Sequence, residues 1–362
     1  IRAISALSGV ATVLVTYLLA QKLFANTSIS LISAIILAST IAFLYRSRTG
    51  NLDTLLTFWL TLGVYAIYTK RRLLLVIAIV AAFLTKWFIA FIFPILFVVW
   101  TRKNAKSVGV TFVFAIAWIA AYVVAFGEPF INGFLSNQVG KVVPTAGGFS
   151  LDYIFYLKSG LKIWFLLFIP SLYYVWKEWR RHEAFPILLY ILLMILGLSF
   201  SFNKSDWFLL PLYPLIAIVV GYAVGRLGRV GILVVLCIAL FHLVYYKNLY
   251  ITPDVARDEA RVATVAKERT VPGDVLYVTN YLVPTIAFYS ERQTFAVYGN
   301  RRDPNSPWIL PEADWQMIKE QPRVFVITNF GELEQLRKNL TPYEVEILYR
   351  SGDKILVTKR PL

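Results

Sequence analysis

Long apolar runs, repeated along the first 249 residues and separated by short charged loops, leave this chain few folds to choose from. Ten such runs stand out, at about 3–24, 28–45, 53–69, 72–85, 88–101, 107–126, 161–177, 184–200, 206–227 and 230–248. A soluble domain with 58% hydrophobic and 16% charged residues would expose large apolar patches. Gathered into runs, the same residues make transmembrane helices, each needing ~20 residues when perpendicular to the bilayer. The runs at 72–85 and 88–101 are shorter and read either as a kinked pair or as spans that bury part of the intervening loop. No cleavable signal peptide is visible, because the first run lacks a basic leader.

Charge orients the helices. The net charge of +15 belongs wholly to residues 1–249, which hold 21 basic and 6 acidic side chains; the remainder holds fifteen of each. A pI near 9.7 would suit a nucleic-acid partner. The basic residues instead cluster in short loops, as the positive-inside rule requires, and no nucleic acid is expected. One set of loops holds Lys22, Lys70, Arg71, Arg72, Arg102, Lys103, Lys106, Lys177, Arg180, Arg181, Arg226 and Arg229, and reads as cytoplasmic. The other side then receives residues 46–52, 85–87, 127–160 and 202–205 and everything after about 249. Trp87, Trp100, Trp164, Trp176, Trp179 and Trp207 fall near helix ends, as an interfacial belt does. The expected location is a plasma membrane, crossed many times, with the C-terminal region extracytoplasmic.

The six carboxylates of the membrane part are Asp53, Glu128, Asp152, Glu178, Glu183 and Asp206. Four of them, Asp53, Glu128, Asp152 and Asp206, land on the outer side with Arg46, Arg48, Lys86, Lys141, Lys158, Lys162 and Lys204. A carboxylate beside hydrocarbon is costly and marks a functional candidate. Carboxylates suit general-base work or metal binding, and Arg and Lys suit a phosphate. Together they point to a phosphorylated lipid whose head group reacts at the outer surface. Solvated or snorkelling helix-end charges are the plain alternative for any single lysine.

Family resemblance sharpens this. The stretch Arg48-Thr49-Gly50-Asn51-Leu52-Asp53-Thr54-Leu55-Leu56-Thr57-Phe58 resembles the Arg-x-x-x-x-Asp-x-x-Leu-x-x-Phe segment of GT-C membrane glycosyltransferases, in the branch of protein O-mannosyltransferases and aminoarabinose transferases. Phe83-Leu84-Thr85-Lys86 is similar to a second segment of that family. Asn203-Lys204 with Leu210-Pro211-Leu212-Tyr213-Pro214 is similar to a third. The resemblance implies an inverting transfer of a sugar from a polyprenyl-phosphate donor to an acceptor hydroxyl or phosphate on a lipid, glycan or protein. It implies that Asp53 is the second acid, positioning the acceptor or a divalent cation, the one candidate cofactor. Lys86, Lys204 and Arg48 would bind the donor phosphate.

Ile1 to Leu7 resembles the start of the family's second helix. The sequence therefore reads as N-terminally truncated, with the main catalytic base expected upstream of Ile1. The long loop 127–160 corresponds to the family's mobile outer loop. Its polar residues Glu128, Asn137, Gln138 and Asp152 are candidates for the acceptor or lid role, and a plain connector is the alternative.

Residues 250–362 read as a separate α/β domain. Helices are predicted at 255–269, 283–290, 311–320 and 331–340. Strands are predicted at 274–279, 294–298, 323–328, 345–349 and 354–358, the last two as a hairpin around Ser351-Gly352-Asp353. No phosphate-binding glycine motif appears there, so a scaffold or acceptor-docking role is expected. Cys237, the one cysteine, reads as a packed apolar residue. His182 and His242 lie on opposite sides and cannot build a histidine metal site.

Two other classes compete. A polytopic transporter would place charges near mid-bilayer, whereas here they crowd at one face. A non-catalytic lipid-binding membrane protein is the third.

Overall fold

In hydrocarbon every backbone polar group must be satisfied within the chain, and the first of the two units into which the chain folds, Ile1–Ile251, is helical throughout its described part. The structure, a computed structural model, describes residues 2–86, 105–134, 149–180, 182–200, 204–250, 257–279, 282–297 and 315–360. The helices are α1 (Arg2–Phe24), α2 (Thr27–Ser39), α3 (Ile41–Arg48), α4 (Leu52–Tyr68), α5 (Arg72–Lys86), α6 (Ala105–Phe126) and the short α7 (Glu128–Phe134). They continue as α8 (Asp152–Leu161), α9 (Ile163–Trp179), α10 (Phe185–Ser199), a 3₁₀ segment Asp206–Leu212, α11 (Tyr213–Gly225), α12 (Arg229–Tyr245) and the single turn α13 (Lys247–Tyr250).

Three of these are long and apolar enough to cross a membrane: Arg2–Phe24, Lys106–Phe126 and Asp206–Gly225. Two bent pairs raise the number to five, α2 with α3 at 62° and α8 with α9 at 117°. Helices occupy nine of the ten predicted runs; the run at 88–101 lies outside the described residues. The structure differs from the sequence expectation in how the runs are cut. Residues 28–45 do not form one straight span, because Thr40 leaves the helix with ψ near 118°. The segment ahead of the 161–177 run is itself helical, as α8, and turns sharply at Lys162.

Buried hydroxyls let polar residues line a membrane core by bonding their own helix. Thr12 donates to Ser8 O at 2.6 Å and Thr16 to Thr12 O at 2.7 Å. Across the interface with α1, Thr57 donates to Asp53 O and Thr61 to Thr57 O, both at 2.7 Å. Gly221 brings α11 against α2 so closely that a Cβ there would run into the Ser33 hydroxyl and stand 3.0 Å from the Ser33 backbone. The largest fully buried side chains include Trp164, Trp179, Tyr153 and Tyr213. Trp164 and Trp179 are thus core residues and not members of an interfacial belt. Val110, Val113, Ile116 and Val124 of α6 are exposed, a face suited to lipid. Cys237 is exposed too, which corrects its reading as a packed residue: it sits on the uncovered face of α12 with Leu233, Leu236 and Leu240.

The second unit, Thr252–Leu362, holds a five-stranded sheet in the order β2-β1-β3-β5-β4. Its strands are β1 (Val275–Thr279), β2 (Gln293–Val297), β3 (Phe325–Asn329), β4 (Glu344–Ser351) and β5 (Lys354–Arg360). β1 pairs in parallel with β2 and β3, while β3, β5 and β4 are antiparallel. Helices α14 (Arg257–Arg269) and α15 (Val283–Ser290) contribute Val262, Ala263, Ala266, Val283 and Ile286 to one buried cluster. Ile318 of α16 (Trp315–Glu320) and Leu333, Leu336 and Leu340 of α17 (Leu333–Leu340) belong to another. The β4–β5 hairpin turns at Gly352, whose φ of 57° is the left-handed value that favours glycine.

Candidate functional site

Asp53 lies in the first turn of α4, and the preceding Asn51 explains why a helix starts there. The Asn51 side-chain oxygen accepts from the Asp53 and Thr54 amides at 3.0 and 3.2 Å, an N-cap. Its amide nitrogen donates to Arg46 O at 2.7 Å and Thr49 O at 3.0 Å, and its backbone exchanges bonds with the Ser5 hydroxyl of α1. One side chain therefore fixes the end of α3, the start of α4 and the loop between them.

α4 and α5 run antiparallel through the tight turn at Lys70, so the last turn of α5 returns beside the first turn of α4. Lys86 Nζ there forms an ion pair with Asp53 Oδ1. Each charge sits at the helix end whose dipole favours it. The pair is well covered, with side-chain exposures of 14% for Asp53 and 28% for Lys86. The Phe208 ring faces the ammonium at 5.4 Å. Beside it Arg46, in the last turn of α3, pairs with Asp206 at 2.9 Å and lies over the Trp207 ring at 5.1 Å and its own neighbour Tyr45 at 5.7 Å. A third pair, Lys204 with Asp152 at 3.5 Å, completes the group. Tyr153 is buried, and its hydroxyl accepts from the Ser205 amide at 3.3 Å. Asp152 also takes a hydrogen bond from Ser150.

The segment Lys204–Phe208 thus gathers all three pairs: Lys204 and Asp206 take part directly, and Phe208 covers Lys86. These three pairs each join residues of one predicted side, and Arg226 with Glu178 at 3.1 Å is an example on the other side. Arg48, in the last turn of α3, is exposed. Glu128 is exposed in the first turn of α7 and has no ion pair among the described residues. Asn137 and Gln138 lie outside the described residues, as do Lys141 and Asn203. Sequence reasoning placed Trp207 in an aromatic belt and gave Asn51, Phe208 and His242 no role. The Asn-x-Asp-Thr start of an apolar run is a capping signal that identifies Asn51 without a structure.

Among the described residues no three His, Cys, Asp or Glu side chains come together to hold a metal ion. Asp53 is paired with Lys86, and the described residues do not by themselves supply a divalent cation with a ligand set there. What the arrangement does offer chemically is three cations at one end of a helical bundle. Each is neutralised by a carboxylate, and two are flanked by aromatic faces. An arriving phosphate can take over the cations while the carboxylates turn to a polar acceptor.

Residues 1–130 match the family model described as dolichyl-phosphate-mannose-protein mannosyltransferase. The chain is 26% identical over 265 residues to the undecaprenyl phosphate-alpha-4-amino-4-deoxy-L-arabinose arabinosyl transferase 1 of Pseudomonas fluorescens, covering 63% of this chain and 46% of that protein. It is also 26% identical over 241 residues to an uncharacterized protein of Aquifex aeolicus, covering 60% and 47%. The chain spans about half the length of the curated relatives it matches. The crystal structure of ArnT from Cupriavidus metallidurans bound to undecaprenyl phosphate superposes with a TM-score of 0.73 at 16% identity, covering 99% of this chain and 83% of that one. The apo form of the same protein matches equally well. The chain is thus a membrane protein that shares the fold of ArnT and is similar in sequence to protein mannosyltransferases over residues 1–130 and to aminoarabinose transferases over about 63% of its length.

Proposed function

We propose that this chain is part of an integral-membrane glycosyltransferase that moves a sugar from a polyprenyl-phosphate donor to an acceptor at the outer membrane face, with inversion. The observation that carries the reading is the covered Asp53–Lys86 pair, at the positions where the family resemblance expects an acid and a phosphate-binding cation. In the proposed reaction the acceptor oxygen attacks the anomeric carbon. The bond from that carbon to the phosphate oxygen breaks, and its electron pair leaves with the lipid phosphate. Lys86, Arg46 and Lys204 neutralise the leaving phosphate, with Arg48 close by on α3. Asp53, released from Lys86 by the incoming phosphate, holds and polarises the acceptor. The acceptor proton passes to a general base as the new bond forms.

We place this end of the bundle in the outer leaflet of a plasma membrane, on the charge asymmetry of the loops. Residues 1–249 form the donor-binding domain in this reading. Residues 250–362 form an extracytoplasmic domain for acceptor docking. Glu128 and Asp152 line the acceptor side in this reading, and the acceptor or lid role expected of Asn137 and Gln138 falls outside the described residues.

The test is sugar transfer from undecaprenyl-phosphate-linked sugar by the full-length protein in proteoliposomes. Asp53→Asn and Lys86→Ala should each reduce it by ~10²-fold or more, the usual scale for a positioned acid–base or electrostatic group. Full activity in both variants would rule the site out.

A further inference from the structure

We infer that His242 is a positioning residue that bolts together the two helix corners below the candidate site, acting as the neutral tautomer protonated on Nδ1. His242 is fully buried in α12. Its Nδ1 lies 3.0 Å from Ser39 O, in the last turn of α2 before the 62° corner at Thr40. Its Nε2 lies 3.3 Å from the Ile163 amide, the first residue of α9 after the 117° corner at Lys162. Both partners are groups that a corner deprives of a helical mate, and leaving either bare in an apolar core is costly. A carbonyl can only accept and an amide N–H can only donate, so Nδ1 must carry the proton and Nε2 must be bare. The other tautomer satisfies neither group, and an imidazolium cannot accept from Ile163. Trp164 and Tyr246 close the ring edge-on, each with centroids 5.4 Å away.

What the bolt sets is the separation of two arms. Beyond the first corner α3 leads to Arg46; beyond the second α8 leads back to Asp152 and Tyr153. The arms pack on each other, Gly160 of α8 lying so close to Ala42 of α3 that a Cβ would stand 2.9 Å from the Ala42 Cβ. At their far ends they meet again through the 3₁₀ segment, by Arg46–Asp206 at 2.9 Å and Ser205–Tyr153 at 3.3 Å. His242 closes this ring of contacts from below. The consequence for transfer rests on the proposed function; the bolt itself does not.

The protonation of the two ring nitrogens can be read directly. Full-length protein labelled with ¹³C,¹⁵N-histidine and ¹³C-phenylalanine is reconstituted in liposomes, and the His242 signals are assigned through the Phe241–His242 peptide bond. We expect a protonated Nδ1 and an unprotonated Nε2 at neutral pH; the opposite tautomer, or an imidazolium, overturns the inference even if no variant folds. In a cysteine-free background, Cys237→Ser included, spin labels at Leu52 and Phe155 should give one narrow distance. His242→Phe should broaden it, while His242→Asn and His242→Gln, each keeping one of the two bonds, should fall between. An unchanged distribution in His242→Phe also overturns it. For transfer, His242→Phe should lower kcat on the order of 10-fold, the scale of a small misplacement, with donor KM little changed. If the wild-type protein transfers no sugar yet shows the tautomer and the broadening, the transferase reading fails and the bolt stands.

Discussion

Arg46 and Asp206, 160 residues apart in sequence, meet at 2.9 Å, with the guanidinium laid over the neighbouring Trp207 ring. This pair joins α3 to the start of the 3₁₀ segment. Asp206 is half exposed, so the pair is expected to add only ~0.2–1 kcal/mol to stability. A double-mutant cycle with Arg46→Ala and Asp206→Asn, read by thermal unfolding, should return a coupling in that range. Its effect on transfer should be larger. Arg46→Lys keeps the charge but loses the planar fork and the stacking, and should raise donor KM by about 10-fold. Equal donor KM in wild type and Arg46→Lys would remove Arg46 from the phosphate site.

Asn51 should matter for two separable reasons. Asn51→Asp keeps the oxygen that caps α4 but loses the amide bonds to Arg46 O and Thr49 O. Asn51→Ala loses both. The cap alone is worth ~1 kcal/mol. Asn51→Ala should therefore unfold at lower temperature than Asn51→Asp, and both should lose transfer activity because Arg46 and Asp53 are no longer held in register. A full-activity Asn51→Ala would show that the loop is held by other contacts.

The sequence made the membrane class and the helix runs readable, because hydrophobic length is a one-dimensional signal. The Asp53–Lys86 pair could be anticipated only as two residues in matching family segments. Their contact depends on the tight turn at Lys70, which brings the two helix ends level. The corners at Thr40 and Lys162 left no such trace: neither follows a proline or glycine, and each sits inside or beside a continuous apolar run. For the same reason His242 reads as one more residue of an apolar helix. Its purpose exists only where the two corners meet. In the second unit the strand positions were legible to within one or two residues from β-branched runs. The sheet order was not, since pairing between distant strands is not written locally.

Glu259 on α14 gives the second unit a pH dependence with a definite sign. Burial pushes its carboxyl above the ordinary value of 4.5, and Lys354, 4.0 Å away, only partly opposes this. A carboxyl whose folded pKa is raised holds its proton more tightly in the folded state. Its contribution to stability is greatest below the unfolded pKa and is lost as pH rises through the folded value. Hydrogen exchange of α14 in the full chain should therefore quicken between about pH 4.5 and the raised pKa beyond the intrinsic rate change. Glu259→Gln should flatten that change. An identical pH profile in wild type and Glu259→Gln would show that Glu259 does not carry it.

Lys162 adopts φ 54° and ψ −120° at the 117° corner, and Gly228 adopts φ 59° and ψ −130° ahead of α12. These are the angles of the first central residue of a type II′ turn, which favours glycine because a Cβ is strained there. At Gly228 the chain supplies glycine; at Lys162 it carries a strained lysine whose ammonium lies 5.5 Å above the Tyr246 ring. Strain of this kind costs on the order of 1–3 kcal/mol and persists only where the surroundings hold it. Lys162→Gly removes the strain together with the side chain, whereas Lys162→Ala removes the side chain and keeps the strain. Lys162→Gly should therefore melt above Lys162→Ala, by roughly 1 kcal/mol or more in unfolding free energy. If the two variants melt together, the lysine backbone is not strained at this corner. If Lys162→Gly is also more stable than wild type but slower in transfer, the strained corner is held for the sake of the arm it aims.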